Sequence, residues 1–169
     1  MSQTEHSSVA RVKTVLESLG LKPEIRKLSD TARTAIDAAN ALGVEVGQIA
    51  SSIVFGFDHD GQRVPVLVIT SGRHRVDTDL VAKTAGLNKL HRVDADFVRH
   101  WSGFAIGGVS PIGWLHGDRI QQPLTFIDTA LEDYHEVWAA AGHTHVVFQT
   151  TFTQLVSATG GTALAVSAN

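Results

Sequence analysis

Three stretches of the chain hold residue types that could do chemistry. The first is Gly107-Gly108-Val109-Ser110-Pro111-Ile112-Gly113. Its glycines let a backbone approach a ligand closely and adopt positive φ, and its proline stiffens the exit. Such a loop can present N–H groups to an oxyanion or a phosphate. A bulge or tight turn inside a sheet uses the same residues, and the stretch matches neither the dinucleotide fingerprint nor the phosphate-loop pattern. The second is Ser51-Ser52, at the entry of the apolar run QIASSIVF. A catalytic serine needs a base within reach and usually a strained turn, and no G-x-S-x-G frames either residue, so structural strand-entry hydroxyls are the simpler reading. The third is SGRHRVD, where Arg73, His74 and Arg75 occupy a turn between a strand and a helix. Guanidinium groups there can hold a phosphate through paired hydrogen bonds, or be merely solvated. Arg33, with Thr34 just ahead of a helix, has the same two readings, helped by the attraction of helix N-termini for anions.

Nine histidines raise the question of a metal, above all His143-Thr144-His145, whose imidazoles would share a face if the segment were extended. No further ligand stands at recognisable spacing. Solvated or locally hydrogen-bonded histidines are expected, with no metal and no cofactor.

The elements that must position these groups follow from periodicity and punctuation. Val9, Val12, Leu16 and Leu19 recur at helical spacing and Gly20 stops the helix. PEIRKL alternates as a short strand, and Thr34 with Asp37 can cap a second helix that ends at Gly43. SSIVFGF and VPVLVITSG flank Asp58-His59-Asp60-Gly61, a strong hairpin signal, and the second run is apolar on both faces and so is expected to be covered on both sides. Pro65 near its start suggests that this strand joins its ladder gradually. Helical patterns follow at Asp77–Gly86 and Asp94–Trp101, the latter burying Phe97, Val98 and Trp101. GFAIGGVSPIGW cannot be a regular strand throughout. LTFID, EVWAA and HVVFQT read as strands, Thr151–Thr159 as a helix with a capping-box pattern, and TALAV as one more strand. Roughly seven short strands with irregularly placed helices predict a mixed α/β domain of the α+β type, not a doubly wound sheet.

A chain of 169 residues with 43% hydrophobic content can bury one substantial core, and with no internal repeat or linker it is expected to be a single domain over 1–169. A net charge of −3 leaves no overall field to hold a polynucleotide, so any nucleic-acid contact must be local. The absence of cysteine excludes thiol catalysis, disulfides and thiolate zinc sites. No run approaches the roughly 18 apolar residues of a membrane helix, and MSQTEHSS carries no basic and then apolar leader pattern. The expectation is a soluble, unprocessed, cytoplasmic chain without a membrane partner.

As an ordered set, TARTAIDAANALGVEVGQIASSIVF, VLVITSGRHRVD, SGFAIGGVSPIGW, LTFID and VWAAAGHTHVVFQTTFTQLVSATGG resemble the YbaK/EbsC family, aminoacyl-tRNA deacylases related to the editing insertion of bacterial prolyl-tRNA synthetases. The similarity runs from about Val9 to Gly161. It implies a mixed, partly barrel-like sheet surrounded by helices. It also implies hydrolysis, in trans, of the ester that joins a wrong amino acid to tRNA, with cysteine or alanine on a proline tRNA as the first substrates to consider. The partners implied are the aminoacyl-tRNA acceptor end and prolyl-tRNA synthetase. Gly107, Gly108, Val109, Ser110 and Pro111 match the family's G-x-x-x-P loop, whose backbone positions and polarises the ester. Arg33, Thr34, Ser52, Arg73, Arg75, Ile112 and His143 are the candidates for substrate contact. Where family members read a segment like QIVKSLVF, this chain has Ser51 in place of the lysine that contacts the tRNA end. Loss of that cation implies altered or reduced activity, with a catalytically inactive tRNA- or aminoacyl-adenosine-binding module as the alternative. Older descriptions of the family mention DNA, but no recognition-helix or aromatic-basic pattern is present and no specific DNA partner is expected.

Overall fold

The computed structural model describes residues 6–168. The first five residues of the leader reading therefore lie outside the described part. The chain enters through α1 (Ser7–Ser18), whose Val9, Val12 and Leu16 are buried at spacings of three and four. After β1 (Ile25–Lys27), Thr34 starts α2 (Ala35–Leu42) with a reciprocal capping box, its hydroxyl accepting from Asp37 N–H while the Asp37 carboxylate accepts from Thr34 N–H; Gly43 ends the helix at φ 72°.

β2 (Ile49–His59) and β3 (Gln62–Ser71) form the central hairpin. Asp60 and Gly61 take φ of 51° and 75°, the doubly left-handed conformation whose twist suits a two-residue hairpin. β3 is covered on both faces as its composition demands: Leu67 and Ile69 belong to one apolar cluster, Val66 and Val68 to another. Pro65 lies inside the strand, opposite Gly56, and not at a gradual start. It fits because β3 pairs with β6 (Leu124–Asp128) only from Val66 onward, so no partner asks Pro65 for an N–H.

α3 (Thr78–Ala85) and α4 (Ala95–Ser102) start on Asp77 and Asp94, whose carboxylates each accept an N–H of the first turn. In α4 only Val98 and Ser102 are buried; Phe97 is half-buried, and Trp101 is half-buried because it stacks on His116, 4.2 Å away and nearly parallel. His116 belongs to a small ribbon, β4 (Leu115–His116) with β5 (Arg119–Ile120), which the sequence pattern does not reveal. β7 (Val137–His143), β8 (Val146–Thr150), α5 (Phe152–Thr159) and β9 (Thr162–Leu164) complete the chain. Thr151 caps α5 through Gln154 N–H, but the Gln154 side chain bonds Thr150 and not the cap backbone.

The main sheet has seven strands in the order β1-β8-β7-β2-β3-β6-β9. It is mixed: β2 with β7, β3 with β6 and β6 with β9 are parallel, and the other neighbours are antiparallel. Two geometric consequences matter for function. β2 and β7 pair only at Ile49–Trp138 and Ala50–Ala139 and then part. β3 and β6 run side by side and end together at Ser71 and Asp128.

Candidate active site

Two cavities meet at Ser51. The first, of about 640 Å³, opens where β2 leaves β7. In the β2–β3 ladder the amide groups of alternate residues point away from β3. Those of Ala50 meet β7, and those of Gly56 exchange bonds of 2.9 and 2.8 Å with His91. Between these points the amides of Ser52 and Val54 lie on the same strand edge and face the cavity. Two buried polar atoms in its lining, Ser52 Oγ and Trp138 Nε1, have no hydrogen-bond partner among the described residues. Native interiors leave few such atoms unsatisfied.

The glycine-rich loop forms another wall. It carries neither helix nor strand over residues 103–114, as its glycines and proline dictate. Gly107 takes φ 90° and is exposed at the rim, while Gly108 presses backbone to backbone on the β7–β8 turn: a Cβ there would lie 3.0 Å from His143 Cα and C and from Thr144 N. The loop is held from behind. Trp114 Nε1 donates to Ser110 O at 2.8 Å, Gln122 Nε2 to Pro111 O at 2.8 Å, and Arg11 Nε to Gly113 O at 2.7 Å. Burial holds the Arg11 guanidinium below its ordinary pKa, and it lies over the Phe104 ring. The N–H groups of Gly107 and Val109 have no protein acceptor among the described residues, and both residues line the cavity.

The second cavity, of about 760 Å³, lies beside the end of β3 and the turn that follows it. Ser51, Thr70, His74, Arg75 and Arg92 line it, with Phe55 and Leu90 giving it an apolar floor.

The structure sorts the residues singled out by the sequence. Gly107, Val109, Ser51, Ser52, Arg33, Thr34 and His143 line the first cavity, and Ser51 and Arg75 the second. Thr34 is there through its position, since its hydroxyl is occupied in the α2 cap. Ser110 and Ile112 are instead core residues, 0% and 2% exposed, within a stretch that is buried from Gly108 to Trp114; Pro111 is buried with them. Arg73 lies outside both cavities. It donates to Asp133 at 2.8 Å and to the Tyr134 hydroxyl at 2.9 Å, which raise its pKa above the ordinary value. Arg33 and Arg75 have no ion pair among the described residues, and neither has Arg92, which the sequence reading missed. His143 and His145 do not form an extended pair: they flank Thr144 in the β7–β8 turn, His145 at φ 71°, with their Nδ1 atoms at 2.9 Å from Thr144 O and 3.0 Å from Ala32 O.

A contact between a buried carboxylate and a histidine was also missed. Asp128, 1% exposed at the end of β6, lies 2.9 Å from His74 Nδ1 at the wall of the second cavity. The two residues are separated by 54 positions, and no spacing rule connects them.

Against known proteins, residues 29–158 match the model of the aminoacyl-tRNA editing domain. The chain belongs to this family. A crystal structure assigned as a trans-editing enzyme for prolyl-tRNA synthetase is 33% identical and superposes with a TM-score of 0.86 over 98% of this chain and all of that one. The uncharacterized protein YwhH of Bacillus subtilis is 26% identical over 80% of each chain. Proline–tRNA ligase of Limosilactobacillus fermentum is 30% identical over 59% of this chain and 18% of its own length, so this editing domain matches only a small part of that enzyme. A mixed sheet flanked by helices is the architecture that the family resemblance predicted. Among the described residues no helix is long and apolar enough to cross a membrane.

Proposed function

We propose that this editing domain hydrolyses, in trans, the ester of a mischarged tRNA, with alanine or cysteine on a proline tRNA as the substrates to test first. The observation that carries the reading is the first cavity, lined both by Gly107 and Val109, whose N–H groups have no protein acceptor among the described residues, and by the free edge of β2, and large enough for an aminoacyl ester and its ribose. Backbone donors aimed at a carbonyl stabilise the negative charge that develops on its oxygen during attack, and they need no reorganisation as the charge forms. The ester is already activated, so orientation and an electrostatic site supply most of what the reaction needs.

The apolar lining from Ile49, Val98, Val109 and Trp138 favours a small uncharged side chain. The cation that the family places at position 51 is absent, but Arg75 and Arg92 line the cavity that Ser51 shares and Arg33 lines the other. In this reading those guanidinium groups take the phosphates of the acceptor end. Ester loss from a panel of mischarged tRNAs is the test. Hydrolysis of at least one member above the buffer rate supports the proposal, whereas retained tRNA binding without hydrolysis of any member establishes a binding module in its place.

A further inference from the structure

We infer that the second cavity is the subsite for the nucleotide that precedes the esterified one at the tRNA end, an inference that rests on the function proposed above. The two cavities are continuous, since Ala35, Ser51, Ile53, Val54 and Val93 line both. A chain whose terminal ribose lies in the first cavity can pass its next nucleotide over Ser51 and Ile53 into the second. Ester cleavage stays in the first cavity, against the glycine loop.

A phosphate by itself needs only cations or N–H donors, and the second cavity offers more than that. Side chains alternate along a strand, so Ser51, Ile53 and Phe55 share one face of β2 and run about 13 Å along it. Val76 and Leu90 extend this apolar floor from the neighbouring segments. Ile53, at the junction of the two cavities, is 39% exposed, an apolar side chain left without cover. A flat base laid on this floor would cover it, and about 760 Å³ has room for the base with its ribose and phosphate.

The polar groups fit the rest of a nucleotide. Arg75 and Arg92 have no ion pair among the described residues, and no aspartate or glutamate is among the residues that line the cavity. Asp128, which touches the lining residues Thr70, Ser71 and His74, is 1% exposed and has both oxygens occupied. Its Oδ1 accepts from Ala130 N–H at 2.9 Å, and its Oδ2 from Ser71 N–H at 3.0 Å, from the Thr70 hydroxyl at 3.4 Å and from His74 Nδ1 at 2.9 Å. The carboxylate only accepts, so Nδ1 bears the hydrogen and the neutral ring keeps its lone pair on Nε2. That Nε2 has no protein partner among the described residues, and the His74 side chain is 13% exposed and lines the cavity. It is a fixed acceptor for a base amino group or a ribose hydroxyl, while the two guanidinium groups take the phosphates on either side.

The test is binding to the full, unmodified chain, which needs no turnover and so is read apart from the mischarged-tRNA panel. Calorimetry compares adenosine monophosphate, phosphorylated cytidylyl-adenosine, which copies the last two nucleotides of a tRNA, and the same dinucleotide lacking its cytosine. The imidazole resonance of His74, assigned through its own backbone amide, reports where the probe sits. A base on the apolar floor predicts that the dinucleotide binds roughly tenfold or more tighter than the mononucleotide, that removal of cytosine abolishes most of the gain, and that only the dinucleotide with its base shifts the His74 resonance fully. Dinucleotide and mononucleotide affinities within about threefold of each other, equal affinities with and without cytosine, an unmoved His74 resonance, or no measurable dinucleotide binding each overturn the subsite. Dinucleotide binding with the expected marks, but without ester loss from any mischarged tRNA, supports the subsite and overturns the proposed hydrolysis alone.

Discussion

Replacing Gly108 by alanine probes the packing that holds the glycine loop in place. The new Cβ would lie 3.0 Å from three backbone atoms of the β7–β8 turn, His143 Cα, His143 C and Thr144 N. Carbon atoms rest about 3.5–4.0 Å apart, so the loop must retreat by about 0.5 Å or more, and no flexible side chain is there to give way instead. Overpacking of this kind costs about 1–3 kcal/mol, against which the smaller entropy of an unfolded alanine returns about 0.4–1 kcal/mol. The net loss is about 0–2.6 kcal/mol, which for a chain of this length lowers the melting temperature by up to about 10 °C. The same displacement moves the N–H groups of Gly107 and Val109. A misplacement of about 1 Å costs roughly 100-fold in rate, so about half of that should cost on the order of tenfold in kcat. Thermal unfolding followed by circular dichroism, with deacylation kinetics on the same preparation, reads both quantities. A variant that melts higher than the parent and keeps its full kcat would refute both the backbone-to-backbone packing and the role given to the loop.

The charge assignments predict salt dependence. Arg92→Ala should flatten the slope of log binding constant against log salt for tRNA by roughly 0.7–0.9, one phosphate contact, and an unchanged slope would remove Arg92 from the binding surface. Ser51→Lys should steepen that slope by a similar amount and tighten binding, because the new ammonium enters the cavity wall that already bears Arg75 and Arg92. Arg73→Ala, by contrast, should leave the slope unchanged, since its guanidinium is engaged by Asp133 and Tyr134 outside both cavities; a flatter slope would contradict that placement. Thr34→Ala removes the α2 cap and should destabilise the protein by about 1 kcal/mol, seen as a melting temperature about 2–4 °C lower, and no change in melting would show that the capping box is not formed in solution.

What could be read without the fold were the features that short segments decide for themselves. Asp60-Gly61 can take two successive positive φ angles, so it makes a hairpin wherever it stands between β-rich runs. Thr34, Asp77, Asp94 and Thr151 each accept an N–H from a residue three positions on, a bond internal to one turn. The double-sided burial of Val66–Ile69 was legible because all four residues are apolar. Pro65 misled, since its tolerance depends on where β6 begins to pair. Ile112 misled in another way: the loop lines the cavity only at Ile106, Gly107 and Val109, and Ile112 lies in the core.

The sequence by itself determined the local elements, the glycine loop and the likeness to editing domains, because those rest on residues close together in the chain or on the order of motifs along it. Tertiary structure decided which of those residues line a cavity. Arg73 and Arg75 are two positions apart, yet one is drawn to Asp133 and the other lines a cavity. The unpaired edge of Ser52 and Val54 exists because β7 leaves β2 after Ala50, and His74 meets Asp128 because β6 ends beside the turn that follows β3. Both depend on strands brought together across 50 or more residues, a relation set by the packing of the whole sheet and by no spacing within the chain.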